Sequence, residues 1–362
     1  MDIIDRFLRA VVSCIARWTC CAGMGIGVLA APNAQAADEA IQLKVVGGLA
    51  GVSQYTKLEE PFWTQRIIEL SNGRVHAEIH PFDRSGLPGN EMLRLMQLGV
   101  VSYGTALLAL VSADEPELNA VDLPALNPDI ASLRRTVELY RDHLHSILQQ
   151  KYGIELLAIY AYPAQVLYCN SSFRSLNDLA GRRIRTSSVG QSEMMSALGA
   201  IPTVLAFSDI VSATRNHVVD CAITGTMSGG EIGLPEVMSY ISPFAISWGV
   251  SFFGANRAAW DRLPADVRAE LRDGIHALEQ SIWTAADQET AGGLACDIGA
   301  AGCKGGRVFH MTLVPATPDD EALRKRLLTQ SILPRWIQRC GNSCVSAWNN
   351  TLGVALEIPA EP

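Results

Sequence analysis

Residues 176–227 read LNDLAGRRIRTSSVGQSEMMSALGAIPTVLAFSDIVSATRNHVVDCAITGTM. Asp178-Leu179-Ala180-Gly181 is a turn, with Gly181 supplying permissive backbone. Residues 183–186 have the length and alternation of a short strand. The spacing then predicts a helix over 191–198, with Met194, Met195 and Leu198 on one face and Gly199 placed to end it. Residues 201–206 are a short apolar run, and Ser208 or Asp209 is positioned to cap the helix that follows. Residues 218–223 read as a buried strand. Strands alternating with helices over so few residues predict a parallel α/β unit. Ligands of such sheets sit at the carboxyl ends of the strands. Arg185 lies at one such end, and residues 224–226 lie at another.

A chain of 362 residues, 48% apolar and 18% charged, has room for two domains. Its net charge of −8, without a basic run or an aromatic-basic stripe, argues against a nucleic-acid partner. An acidic balance still allows an anionic ligand, because one buried Arg sets the field inside a closed cleft.

Residues 1–36 have a separate logic. Arg6, Arg9 and Arg17 precede a small and apolar segment at 18–31, and Ala34-Gln35-Ala36 fits a small-x-small cleavage site. This pattern predicts a secretory signal peptide, too short to span a bilayer, and hence export to the periplasm. Cys20 and Cys21 raise a lipoprotein alternative, which the preceding Trp18-Thr19 disfavours. Removing the segment leaves Cys169, Cys221, Cys296, Cys303, Cys340 and Cys344, an even number that favours disulfides in an oxidising compartment.

Residues 41–46 predict a first strand, followed by Gly47, Gly48 and Gly51. These glycines either cradle a phosphate or let a loop pass close to ligand or backbone; without a dinucleotide fingerprint the second reading is preferred. Trp63, Ile67 and Leu70 recur at helical spacing before Asn72-Gly73, and Val75, Ala77 and Ile79 alternate as a strand. His76 and His80 on that strand are roughly 13 Å apart, too far to share a metal. A short helix at 90–98 leads to a strand at 100–105. Asn127 is placed to cap, and Pro128 to open, a helix whose stripe is Ile130, Leu133, Val137, Tyr140, Leu144 and Ile147. Residues 154–162 form the next strand. Pro264 opens another helix, with Val267, Leu271, Ile275, Leu278 and Ile282 on one face. Cys296-x6-Cys303 and Cys340-x3-Cys344 then mark a tail; their spacing is unlike the familiar zinc knuckles, so disulfides are expected, stapling a tail with little core of its own.

Four elements occur in one order and spacing: L-x-D-L-x-G-x-x-I-R at 176–185, A-L-G-A-x-P at 197–202, A-F-S-D-I at 206–210 and V-V-D at 218–220. In them the chain resembles the periplasmic solute-binding proteins of TRAP (tripartite ATP-independent periplasmic) transporters, with a weaker likeness over about 41–283. The resemblance implies an α/β, two-lobed periplasmic-binding-protein fold with hinge strands and a long helix bracing both lobes. Residues 37–162 and 251–290 would form lobe 1, and residues 163–250 and 291–362 lobe 2. It implies a receptor, not an enzyme, that captures an organic acid by its carboxylate and delivers it to the membrane permease.

Arg185 is the leading candidate: its guanidinium offers paired donors to a carboxylate and keeps its proton. In the family this motif Arg clamps the substrate carboxylate. Phe207 is similar to the family's aromatic near the ligand. A second basic position of the family falls on Gln165, and an amide-bearing position falls on Thr224. The exchange of that cation for a neutral amide leans towards a monocarboxylate ligand. Trp248 and Phe253 would wall the cleft on the hinge side or pack in the core. No cofactor is implied; a metal ion bridging the ligand is left open, and a monomer is expected. The competing class is a periplasmic α/β hydrolase, but no Gly-x-Ser-x-Gly elbow, His-Glu-x-x-His or Walker loop is present.

Overall fold

The computed structural model describes residues 40–361, so the expected signal peptide lies outside the described residues. Residues 40–361 belong to one compact unit. In chain order its strands are β1 (Ile41–Gly47), β2 (Val75–Pro81), β3 (Tyr103–Leu107), β4 (Ile154–Ala161), β5 (Gln165–Cys169), β6 (Arg183–Thr186), β7 (Ile201–Val204), β8 (Cys221–Gly225), β9 (Tyr240–Ser247), β10 (Val250–Asn256) and β11 (Thr312–Leu313). One sheet runs β2-β1-β3-β10-β4, and the other β11-β9-β5-β8-β6-β7. The chain passes between the sheets at residues 162–164, after β4, and at Trp248-Gly249, before β10.

The opening stretch folds as its pattern predicts. β6 pairs in parallel with β7 and β8, and the intervening helix Val189–Ala197 buries Met194 and Met195. Its last strand starts later than expected, at Cys221; Val218 is 49% exposed, so the apolar run at 218–219 is only partly buried. Asp209 stands before the helix Ile210–Arg215 but its side chain makes no capping bond. Two further boundaries move. β3 begins at Tyr103 rather than at residue 100, and Asp129 rather than Asn127 caps the helix Ile130–Tyr152 by accepting from Ser132 N at 2.8 Å. Asn127 is buried instead, donating to Val121 O and accepting from Thr136 Oγ1. A polar side chain inside must satisfy its own hydrogen bonds, and that demand removes it from the cap.

The helix Ala265–Ile298 braces both sheets. Val267, Leu271, Ile275, Leu278 and Ile282 are all buried. Along its length Arg272 pairs with Glu155, Trp283 Nε1 donates to Ile159 O, Thr290 Oγ1 accepts from Ala164 N, and Asp297 Oδ2 accepts from Tyr168 Oη. The tail does more than the sequence suggests. Trp336, Trp348, Leu333 and Leu352 are buried in the main core, Trp336 Nε1 donates to Pro116 O at 2.7 Å, and Arg324 Nη1 donates to Ala245 O. Residues 291–362, expected with the second lobe alone, therefore bond to both halves.

Disulfides join Cys296 to Cys303 and Cys340 to Cys344, and a third joins Cys169 to Cys221 on directly opposed positions of β5 and β8. Glu117 lies near Cys340 and Cys344, but those sulfurs are bonded to each other and Glu117 is taken by His143 and Lys151, so the trio offers no thiolate to a metal. Among the described residues no helix is long and apolar enough to cross a membrane.

Candidate functional site

Arg185 sits near the end of β6, and the strand's pleat directs its side chain inward, where it is 3% exposed. Nε donates to Leu205 O at 3.0 Å and Nη1 to Ile223 O at 2.6 Å. The acceptors are backbone carbonyls, Leu205 O just past β7 and Ile223 O within β8, so the guanidinium is oriented by the sheet itself. No carboxylate forms a salt bridge with it among the described residues, and Asp209 acts on it only as a nearby charge. Burial lowers its pKa to about 10, with Asp209 partly offsetting the fall. At neutral pH the group is still a cation. A buried cation without a paired anion is costly to hold, and an incoming carboxylate relieves that cost.

The guanidinium opens on a cavity of about 520 Å³ between the two sheets, within the usual size range for a small-molecule site. The first sheet and its loops contribute Leu49, Phe82, Asp83, Asn90, Leu107 and Leu110; the second contributes Gln165, Arg185, Ser187, Val204, Phe207, Thr224 and Ser228. Ser188 caps the helix Val189–Ala197, whose first turn also lines the cavity. Its positive dipole end adds to the attraction Arg185 exerts on an anion.

Arg185, Gln165, Phe207 and Thr224 thus share one cavity. Gln165 opens β5 and donates to Pro163 O at 3.0 Å. Thr224 is buried near the end of β8, and Phe207 is half-buried against the core. Trp248 is placed differently. It does not line the cavity: its indole is buried and donates to Asn127 O at 3.0 Å, while only its neighbour Gly249 reaches the lining. The indole N–H needs an acceptor once buried, and Asn127 O supplies it in the core. Phe253 is likewise core, with its ring 5.2 Å from Trp63.

Asp83, Asn90, Tyr162 and Ser187 are cavity residues that the sequence reading passed over. The available signal was the glycine run after β1. A Cβ on Gly48 would lie 2.6 Å from Tyr162 Oη and 2.8 Å from Glu59 Oε1, so the loop passes against other side chains rather than cradling a phosphate. Gly48 N already donates to Glu59 Oε2, Leu49 N to Tyr162 Oη and Ala50 N to Asp83 Oδ1. Glu59 is fully buried, and desolvation raises its pKa to about 7 against the pull of its two hydrogen bonds.

The family model described as bacterial extracellular solute-binding protein, family 7, matches residues 50–295. Among curated proteins, the chain is 27% identical over 232 residues to the C4-dicarboxylate-binding periplasmic protein of Rhodobacter capsulatus. The alignment takes in 62% of this chain and 66% of that relative, so the chain spans just under two thirds of the relative's length. Among solved structures it is similar to a Bordetella pertussis extracytoplasmic solute receptor binding pyroglutamic acid, with a TM-score of 0.73 at 21% identity over 86% of this chain and 99% of that one. It is also similar to a TRAP periplasmic solute-binding protein of Desulfovibrio salexigens with bound orotic acid, with a TM-score of 0.76 at 17% identity over 88% of this chain and 99% of that one. These structural likenesses establish the two-lobed fold. On the match of 50–295, the chain belongs to family 7 of the bacterial extracellular solute-binding proteins.

Proposed function

We propose that this protein captures a small monocarboxylic acid between its two lobes and hands it to the permease of a TRAP transporter. In this reading it is exported to the periplasm by residues 1–36 and works as a monomer without a cofactor. The observation that carries the proposal is the buried Arg185, bonded to two carbonyls, unpaired with any carboxylate among the described residues, and facing a cavity of about 520 Å³. Among the described residues Arg185 is also the only cation lining that cavity. One cation matches one carboxylate; a second carboxylate has no counter-charge there. The pyroglutamic acid and orotic acid bound by the two structural neighbours are carboxylic acids of fitting size, which supports the same ligand class.

The test is calorimetric titration of organic acids into wild type and Arg185→Ala. Truncating one partner of a buried charged pair costs about 2–5 kcal/mol of binding, or roughly 30- to several-thousand-fold in Kd. Arg185→Lys also weakens binding strongly, because an ammonium cannot reproduce the two-pronged geometry. Affinities that match across the three proteins would sink the assignment.

A further inference from the structure

Resting on the carboxylate-receptor reading above, we infer that Asp83 selects a ligand carrying an N–H group away from its carboxylate, such as an amino acid or its lactam. Among the described residues, Arg185 and Asp83 are the only charged side chains lining the cavity. They come from opposite halves: Arg185 from β6, and Asp83 from the turn Phe82–Arg84 directly after β2. Asp83 is held in place on one side only. Its Oδ1 accepts from Ala50 N at 2.8 Å, in the glycine-rich loop after β1, and Oδ2 makes no hydrogen bond among the described residues. An ionised carboxylate accepts hydrogen bonds and donates none.

The rest of the lining is neutral. Phe82, Leu107, Leu110 and Phe207 supply apolar surface, and Asn90 and Gln165 supply amides. A ligand that puts its carboxylate on the buried Arg185 and an N–H on the exposed Asp83 bonds both charged groups and ties the two halves together. A dicarboxylate that reaches Asp83 brings like charge against it, with no cation to offset the repulsion. Asp83 is therefore a specificity residue with two effects, attraction of a donor and rejection of a second anion.

Matched pairs of acids test this. Pyroglutamate is compared with its lactone counterpart, and proline with tetrahydrofuran carboxylate; in each pair a ring oxygen replaces the N–H. Succinate supplies the dicarboxylate arm. In wild type the N–H member of a pair should bind about 10- to 100-fold tighter, the effect of a hydrogen bond to a charged group. Proline against pyroglutamate separates a charged from a neutral donor. Asp83→Asn keeps an oxygen for Ala50 N while turning the free acceptor into a donor, so the gap within each pair should close and succinate should bind more tightly.

Equal affinities within the pairs, tighter binding of succinate than of any N–H acid by wild type, or no binding of either N–H acid would each overturn the inference, and the wild-type comparison needs no variant to fold. Loss of binding in Arg185→Ala alongside unchanged selectivity in Asp83→Asn would remove the role of Asp83 alone. Binding that survives in Arg185→Ala would remove the receptor reading beneath it.

Discussion

Gly293 shows how much a single missing side chain decides. A Cβ there would lie 2.3 Å from Met227 N and 2.7 Å from Met227 Cα, both backbone atoms of the helix Thr226–Glu231. The bracing helix and that short helix therefore meet backbone to backbone, and Thr226 Oγ1 bonds to Glu289 O and Thr290 O at the same crossing. Gly293→Ala must push them apart, at a cost of about 1–3 kcal/mol or more for overpacking. Urea denaturation of the empty protein should show that loss in the midpoint, and an unshifted midpoint would contradict the crossing. In the sequence, Gly293 reads only as a weak spot in a helix; Arg185 is legible because its strand and its motif are local. The difference lies in where the partner is: 38 positions away for Arg185 and Ile223, inside one α/β unit, but 66 positions away, in a separate helix, for Gly293 and Met227.

One of the two crossings between the halves, at Trp248-Gly249, is held by one carboxylate. Asp122 accepts from Trp248 N at 2.8 Å, Gly249 N at 2.8 Å and Val250 N at 3.2 Å. Gly249 takes φ 71°, a value a side chain would strain. Asp122 is fully buried, and desolvation raises its pKa to about 6 although all three N–H bonds pull it down. Asp122→Ala orphans three donors, two of them buried and each of those worth about 1–3 kcal/mol when left unmade. The variant should melt well below wild type, and Asp122→Asn, which keeps one acceptor oxygen, should fall between them. Equal melting temperatures for all three would refute the clamp. Crossing segments were expected here from the resemblance, but nothing in the local pattern pairs residue 122 with residue 248.

At the scale of the whole molecule, buried acids set the pH response. Burial raises Glu59 and Asp297 to about 7 and Asp122 to about 6. A group raised on folding gives stability that is full below its unfolded pKa and lost as pH climbs through the folded one. These three acids therefore weaken the fold progressively between about pH 4 and 7. Glu117, lowered chiefly by its bond to His143, and Asp220, lowered chiefly by Arg183, act oppositely and lose their contribution as pH falls. The melting temperature of the ligand-free protein should peak near about pH 5 and decline towards about pH 8. A flat or rising profile across that range would mean these acids are solvated.

Local pattern carried much of this protein. The alternation of strands and helices over 176–227, the buried stripes of the two long helices and the expectation of disulfides in the tail are all readable from residues a few positions apart, while the pairing of Cys296 with Cys303 and of Cys340 with Cys344 came from the fold. Contacts between distant segments were not readable. Cys169 and Cys221, separated by 52 residues, meet only because β5 and β8 pair in one register. Trp336 and Trp348 enter the core because the tail packs back onto the body, with Trp336 reaching Pro116 O, 220 residues away. Trp248 faces the core rather than the cavity because its indole N–H finds Asn127 O there. Periodicity states which face of an element is apolar; which other element that face meets is settled by the packing of the whole chain.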